Sequence, residues 1–162
     1  MCMPKGGVLL DTSFFIRLLK KDDRLHQNAV DYFKYFLEND YTLKVSTIAI
    51  SEFCVKGTVD MLPLANMQVL PFNYDHAVNS GRLGEIAFRR KKDRGAVITP
   101  RTVVSNDTKM FAQADLEEEI THFVSADSEA TKVYSLINDE YRMKFAYVDI
   151  SVSHREVFGE LF

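Results

Sequence analysis

Short apolar runs of strand length alternate along this chain with longer stretches of helical periodicity, and that alternation is the strongest constraint on its fold. Val8–Leu10, Leu43–Val45, Gln68–Pro71, Thr121–Ser125 and Ala146–Ile150 read as strands. Thr12–Lys20, Leu25–Glu38, a segment from about Thr47 to Thr58, Asp75–Arg90, Asp107–Glu119 and Asp127–Leu136 read as helices, and the chain end as a short one. In the second of these, Ala29, Val30, Phe33 and Phe36 or Leu37 fall on one side. Arg94–Ser105 fits a loop or a short strand equally well. Strands separated by helices build βαβ units, hence a mainly parallel sheet with right-handed connections and helices on both faces.

The 162 residues suffice for one domain with a core, and no repeat or Pro/Ser-rich linker divides them, so a single domain over residues 1–162 is expected. An apolar fraction of 46% and an aromatic fraction of 12% exclude a disordered chain. Cys2 and Cys54 lie far apart with no metal-ligand spacing, which excludes a disulfide scaffold or a zinc knuckle and suits a reducing compartment. The apolar run near the N-terminus is too short for a signal peptide or a membrane span, so a cytoplasmic protein with no membrane partner is expected. The formal charge is −3, so a polyanion would have to be held by a local basic patch against the net field.

The apolar run of "GGVLLDTSFF" stops on Asp11, a residue disfavoured in strands. One Asp there is explained by helix capping. Asp127, in "THFVSAD", repeats the arrangement after a second strand. In open parallel sheets ligands bind at the carboxyl ends of strands, where the strand order reverses. Glu52 is the one charge in the apolar stretch Ile48–Val55, a stretch that reads as a buried helix, and a buried carboxylate needs a partner or a metal. Its plainer reading is a thin solvent stripe shared with Ser51, or an Arg salt bridge. Ser46 and Thr47 read as caps of that helix. Asp107 opens the face on which Met110, Phe111 and Ala114 pack inward, although it or Asn106 also qualifies as a cap. Asp115, Glu117, Glu118 and Glu119 read as a solvated acidic face.

Taken together, four carboxylates sit at or inside helix starts near strand ends that one parallel sheet would gather. Two bare carboxylates about 4 Å apart repel by about 4 kcal/mol at an effective dielectric of 20. Such a cluster needs a cation or a proton. All-oxygen ligands select Mg²⁺ or Mn²⁺ over zinc. His26, His76, His122 and His154 are scattered without paired spacing and read as surface or packed residues. An acidic Mg²⁺ pocket suits phosphodiester hydrolysis, in which the metal activates water and neutralises the leaving oxygen.

The motifs "VLLDTSFFIRLL" with Asp11, "STIAISEF" with Glu52, "NDTKMFAQA" with Asp107 and "FVSAD" with Asp127 lie in an order and spacing that resembles the PIN-domain ribonucleases, in particular the VapC-like toxins of bacterial toxin–antitoxin pairs. The resemblance covers nearly the whole chain. It implies a three-layer α/β/α sandwich with a five-stranded parallel sheet in the order 3-2-1-4-5. It implies Asp11, Glu52 and Asp107 as the core metal ligands, Asp127 as the fourth acid, and Thr12 and Ser125 as polar residues lining the pocket. It further implies an endoribonuclease that is inhibited by a small antitoxin and acts as a homodimer. The chain departs from the pattern in the longer segment 94–106, in Thr108, Lys109 and Met110 after the third acid, and in Glu129, where Asp is commoner.

"RRKKDR" is the one dense positive stretch, with Arg101 further on. Arg89, Arg90, Lys91, Lys92 and Arg94 read either as a solvated helix end suited to the dipole or as a surface that tracks RNA phosphates. RNA readout would fall on unpaired bases, since A-form duplexes hide theirs. A non-catalytic RNA- or protein-binding PIN-like domain is the competing reading. A phosphotransfer fold with Asp11 as nucleophile is disfavoured by Ser13 where a DxD motif needs Asp, and no P-loop sequence is present.

Overall fold

The computed structural model describes residues 3–95 and 105–159. Its core is a five-stranded sheet, β1 (Gly6–Leu10), β2 (Tyr41–Ser46), β3 (Met67–Leu70), β4 (Ile120–Ser125) and β5 (Ala146–Asp149). Every pairing is parallel and the order is β3-β2-β1-β4-β5. The helices are α1 (Thr12–Leu19), α2 (His26–Glu38), α3 (Thr47–Phe53), α4 (Tyr74–Asp93), α5 (Asn106–Leu116), α6 (Ser128–Asn138) and α7 (His154–Phe158). The expected five-stranded α/β/α sandwich is therefore present. The departures are at the ends of elements, and segment 96–104, with Arg101, lies outside the described residues.

The central strand explains why the sheet must be covered on both sides. Val8, Leu9 and Leu10 are all fully buried, so successive side chains of β1 enter core on opposite faces. Phe14, Phe15, Tyr32 and Phe36 fill one region of this core; Phe111, Phe123 and Phe145 fill another, with Phe111 and Phe123 edge-on at 4.9 Å. The glycine pair that opens β1 has a local cause. Gly6 has φ 141°, and a Cβ there would sit 2.5 Å from Thr121 Cγ2 on the neighbouring strand. The β1–β4 register slips between Gly7 and Val8.

Two sequence expectations need correction. The helix from Thr47 ends at Phe53 rather than near Thr58, where the Val55 and Lys56 amides reach back only three residues, to the Glu52 and Phe53 carbonyls at 3.3 Å. It is not buried all round: among its residues only Ala49 is buried, and Val55 beyond it is 78% exposed. The acidic run is a solvated face only in part, with Glu118 and Glu119 exposed. Asp115 is buried and accepts from the Lys144 amide and the Tyr141 hydroxyl, both at 2.9 Å. Glu117 meets the buried His76 Nε2 at 2.7 Å, and Glu119 pairs with Lys44 at 3.1 Å. Amphipathic periodicity missed these because each acid satisfies a buried donor from a distant segment.

Candidate active site at the carboxyl edge of the sheet

The strand order reverses between β1 and β4, and there both strands end on acids. The Asp11 amide donates to the Val124 carbonyl at 2.9 Å, which continues the β1–β4 ladder one residue past β1. Asp11 then caps α1, its Oδ1 accepting from the Thr12 amide at 2.7 Å. Its Oδ2 accepts from the Ser13 hydroxyl and from the Ser125 hydroxyl, each at 2.8 Å. The side chain is buried. Burial raises its pKa, opposed by the bonds from Ser125, Ser13 and Thr12, and the charge of Asp127 raises it further.

The other three acids face the same edge from different elements. Glu52 lies one turn into α3 from the end of β2, half-buried, and its Oε1 accepts from the Thr12 hydroxyl at 3.2 Å. Its pKa is raised by burial and by Asp11, opposed by bonds from Thr12 and Asn106, with Asp127 adding to the rise. No Arg pairs with it among the described residues, so the salt-bridge reading falls away, while the exposed Ser51 beside it keeps this side of the helix open to solvent. Asp107 does not cap its helix; Ser105 does, accepting from the Thr108 amide at 3.3 Å. Burial, then Asp11, Asp127 and Glu52, push Asp107 up to about 7. Asp127 does cap α6, its Oδ1 accepting from the Glu129 amide at 2.9 Å, while its own amide donates to Ser125 Oγ at 3.0 Å.

These four carboxylates, drawn from four separate stretches of sequence, therefore feel one another's charge. Their donor set, anionic and all oxygen, fits a hard divalent cation. As the side chains stand, no three His, Cys, Asp or Glu groups among the described residues close on one point as a ready metal cage. What the edge supplies is negative charge with no ion-pair partner among the described residues, and a carboxyl, Asp107, pushed up to about 7.

Thr12 and Ser125 stand at this edge, bonded to Glu52 and to Asp11. Two further residues belong to it that sequence reading left without a role. Ser13 bridges Asp11, Ser125 Oγ at 3.2 Å and the Ala126 amide at 2.9 Å. Asn106 bonds the Glu52 side chain. Ser13 had a signal, a hydroxyl two residues after a strand-ending Asp; Asn106 had none beyond its capping type. Beneath Asp127, Tyr147 lies 3.0 Å from the Thr131 hydroxyl, and burial pushes its phenol up to about 12.

The basic stretch divides. Arg89 forks onto Glu140 at 2.9 and 2.5 Å and reaches Glu85 at 3.1 Å, and Arg90 reaches Asp139 at 3.5 Å. These two arginines tie the end of α4 to the turn after α6. Lys91, near enough to Glu129 to lower its pKa, and the exposed Lys92 and Arg94 remain beyond that tie. The four histidines are surface or packed, as expected: His122, for example, sits against Tyr41 and Phe158, and burial lowers its pKa.

Beside the acids runs a groove of about 840 Å³ between α1 and the segment after α3. It is lined by Thr12, Glu52, Ile16, Leu19, Phe53 and Val55, with Lys20 and Lys56 also on its walls. Ile16, Leu19, Val55 and Met61 stay exposed there, which is why the apolar stretch of α3 is not core.

No protein-family model and no curated protein matches the sequence. Solved structures do resemble it in three dimensions. A VapBC2 structure from Rickettsia felis bound to a DNA fragment from its promoter matches with TM-score 0.53 at 14% identity, over 88% of this chain and 99% of that one. A DNA-bound VapBC structure from Salmonella typhimurium matches with TM-score 0.56 at 14% identity, over 91% of this chain and 99% of that one. With the strand order β3-β2-β1-β4-β5, these likenesses show that this chain carries the PIN-like α/β/α fold of VapC-type proteins.

Proposed function

We propose that this chain is a Mg²⁺- or Mn²⁺-dependent endoribonuclease and the toxin of a toxin–antitoxin pair. The observation that carries the reading is the meeting of Asp11, Glu52, Asp107 and Asp127 at the switch point, each of the first three with a raised pKa and none in an ion pair among the described residues. Asp11, Glu52 and Asp107 would hold the ion, directly or through water, and Asp127 would complete the shell. The bound ion supplies an activated water and a counter-charge for the leaving oxygen. The chain's own residues prepare for it. Ser13 and Ser125 fix the Asp11 carboxylate, Thr12 and Asn106 orient Glu52, and Asp107, pushed up to about 7, is the carboxyl that would have to lose its proton to solvent before it could serve as a ligand.

RNA would reach the site by its backbone, on Lys91, Lys92 and Arg94, with Arg89 and Arg90 holding that helix end in place. The apolar groove with Lys20 and Lys56 suits an antitoxin segment bearing apolar side chains and a carboxylate. By the same resemblance the working form is a homodimer in the cytoplasm; among the described residues no helix is long and apolar enough to cross a membrane.

One observation favours the competing non-catalytic reading: the acids do not close on a single point as they stand. The deciding experiment incubates wild type and Asp11→Asn with pooled cellular RNA in Mg²⁺, Mn²⁺ or EDTA. Cleavage by the wild type alone, lost in EDTA, is expected. Cleavage that survives both the substitution and the chelator overturns the nuclease assignment, and a wild type inert in either metal favours the binding module.

A further inference from the structure

Below the acidic edge lies a polar side chain that no step of the proposed chemistry uses. Gln113, on α5, is fully buried among Met110, Phe111, Ala112 and Ala114. Its Oε1 accepts from the Ser46 hydroxyl at 2.5 Å, and its Nε2 donates to the Leu70 carbonyl at 3.4 Å. Ser46 Oγ in turn accepts from the Ile48 amide at 3.0 Å, as the cap of α3. One amide thus joins α5 to the carboxyl ends of β2 and β3 and to the first turn of α3. The two helices it joins carry Asp107 and Glu52.

A buried amide is costly unless it is bonded, and a Met or Leu would fill the same space without that requirement. A satisfied buried polar pair gives geometry: it accepts one register, where apolar contact tolerates several. That matters for α3. The helix has seven residues, of which Ala49 alone is buried and Ile48, Ile50 and Phe53 are only partly buried against the core, a contact that holds the helix to the sheet without selecting one register. The side of α3 away from the core faces the open groove.

We propose that Gln113 is a positioning residue, which through Ser46 sets the placement of the Glu52 helix against the Asp107 helix. Its consequence for metal binding and catalysis rests on the nuclease reading; its consequence for helix placement does not.

The test uses the full chain with Cys2→Ser, spin-labelled at native Cys54, the exposed C-cap of α3, and at Leu116→Cys, an exposed position on α5. Pulsed dipolar spectroscopy should give one narrow distance with Gln113 present. It should give a broadened or second distance in Gln113→Met and in Ser46→Ala, and the original distance in Ser46→Thr, which keeps the hydroxyl. In the unlabelled protein, Mn²⁺ affinity and kcat should each fall about ten-fold in Gln113→Met, with KM for RNA within two-fold of wild type. Should Gln113→Met not fold, as read by circular dichroism, Ser46→Ala breaks the same bond and decides. An unchanged narrow distance overturns the proposal, and a changed distance with wild-type Mn²⁺ affinity overturns its consequence for the metal site. A wild type that binds no Mn²⁺ and cuts no RNA defeats the nuclease reading, and the distance measurement still decides the role of Gln113.

Discussion

Ser125 Oγ and Asp11 Oδ2 stand 2.8 Å apart, across the junction of the two strands between which the sheet changes direction. A hydroxyl from the end of β4 thereby stabilises the charged form of a carboxylate from the end of β1. Ser125→Ala removes one of the two hydroxyl donors to Asp11 Oδ2, a bond to a charged group worth about 1.5–3 kcal/mol. The loss falls on the ionised form, so in EDTA the variant's melting temperature should drop more at pH 8 than at pH 5. Metal-dependent cleavage should fall about 10–100-fold, and Ser125→Thr should recover most of it.

Asp107 gives the protein an unusual pH response. Its folded pKa of about 7 lies above the ordinary 3.8, so the folded state holds its proton more tightly than the unfolded state does. Stability without divalent cations should therefore fall as pH rises from about 4 to about 7. Asp107→Asn should flatten that fall, measured by thermal melts in EDTA.

Divalent cation should reverse the trend in the wild type. An ion that binds only the folded state at about 100 times its Kd adds about 2.7 kcal/mol. The increment should be full at pH 8, where the acids are ionised, and small at pH 5. Asp11→Asn and Asp107→Asn should each lose most of it. Equal stabilisation of wild type and Asp11→Asn by Mn²⁺ would place the ion elsewhere.

The basic end of α4 predicts a salt signature. Replacing Lys91, Lys92 and Arg94 together by Ala should weaken binding of single-stranded RNA and reduce the slope of log affinity against log salt by about 2, at about 0.7 per phosphate contact. Measured by fluorescence anisotropy on Asp11→Asn to prevent cleavage, an unchanged slope would remove this helix end from the RNA path.

Lys44 makes a contrasting prediction at the opposite edge of the sheet. Its ammonium is nearly buried between Gln68 Oε1 at 3.0 Å and Glu119 at 3.1 Å. Glu119→Ala leaves that charge with one neutral partner and should lower stability by about 1 kcal/mol, or about 2–4 °C. Lys44→Met in the Glu119→Ala background should restore most of the loss, because an apolar side chain needs no partner.

Much of the fold follows from local pattern. Val8–Leu10 has to be a central strand, because three consecutive apolar side chains need cover on both faces, and alternating strands and helices leave few topologies. Asp11 and Asp127 stand out because a carboxylate ending an apolar strand breaks a rule of local propensity, and such breaks collect at functional edges. Glu52 stands out for the same reason, although its helix borders a groove as well as the core. Periodicity records which residues are apolar, and a groove wall and a core wall share that composition.

Only the tertiary structure decided which charged groups are spoken for. Asp115 and Glu117 look like Asp107 in sequence, yet Tyr141, Lys144 and His76 arrive from distant segments to satisfy them, while among the described residues nothing comparable meets Asp107. Arg89 and Arg90 look like Lys92, yet Glu140 and Asp139 engage them. Sequence fixes where a charge lies along an element, at a spacing of 1.5 Å per helical residue or about 3.3 Å per strand residue. Its pKa and its partners depend on groups a few ångströms away in space, and the packing of the sheet layers brings those together.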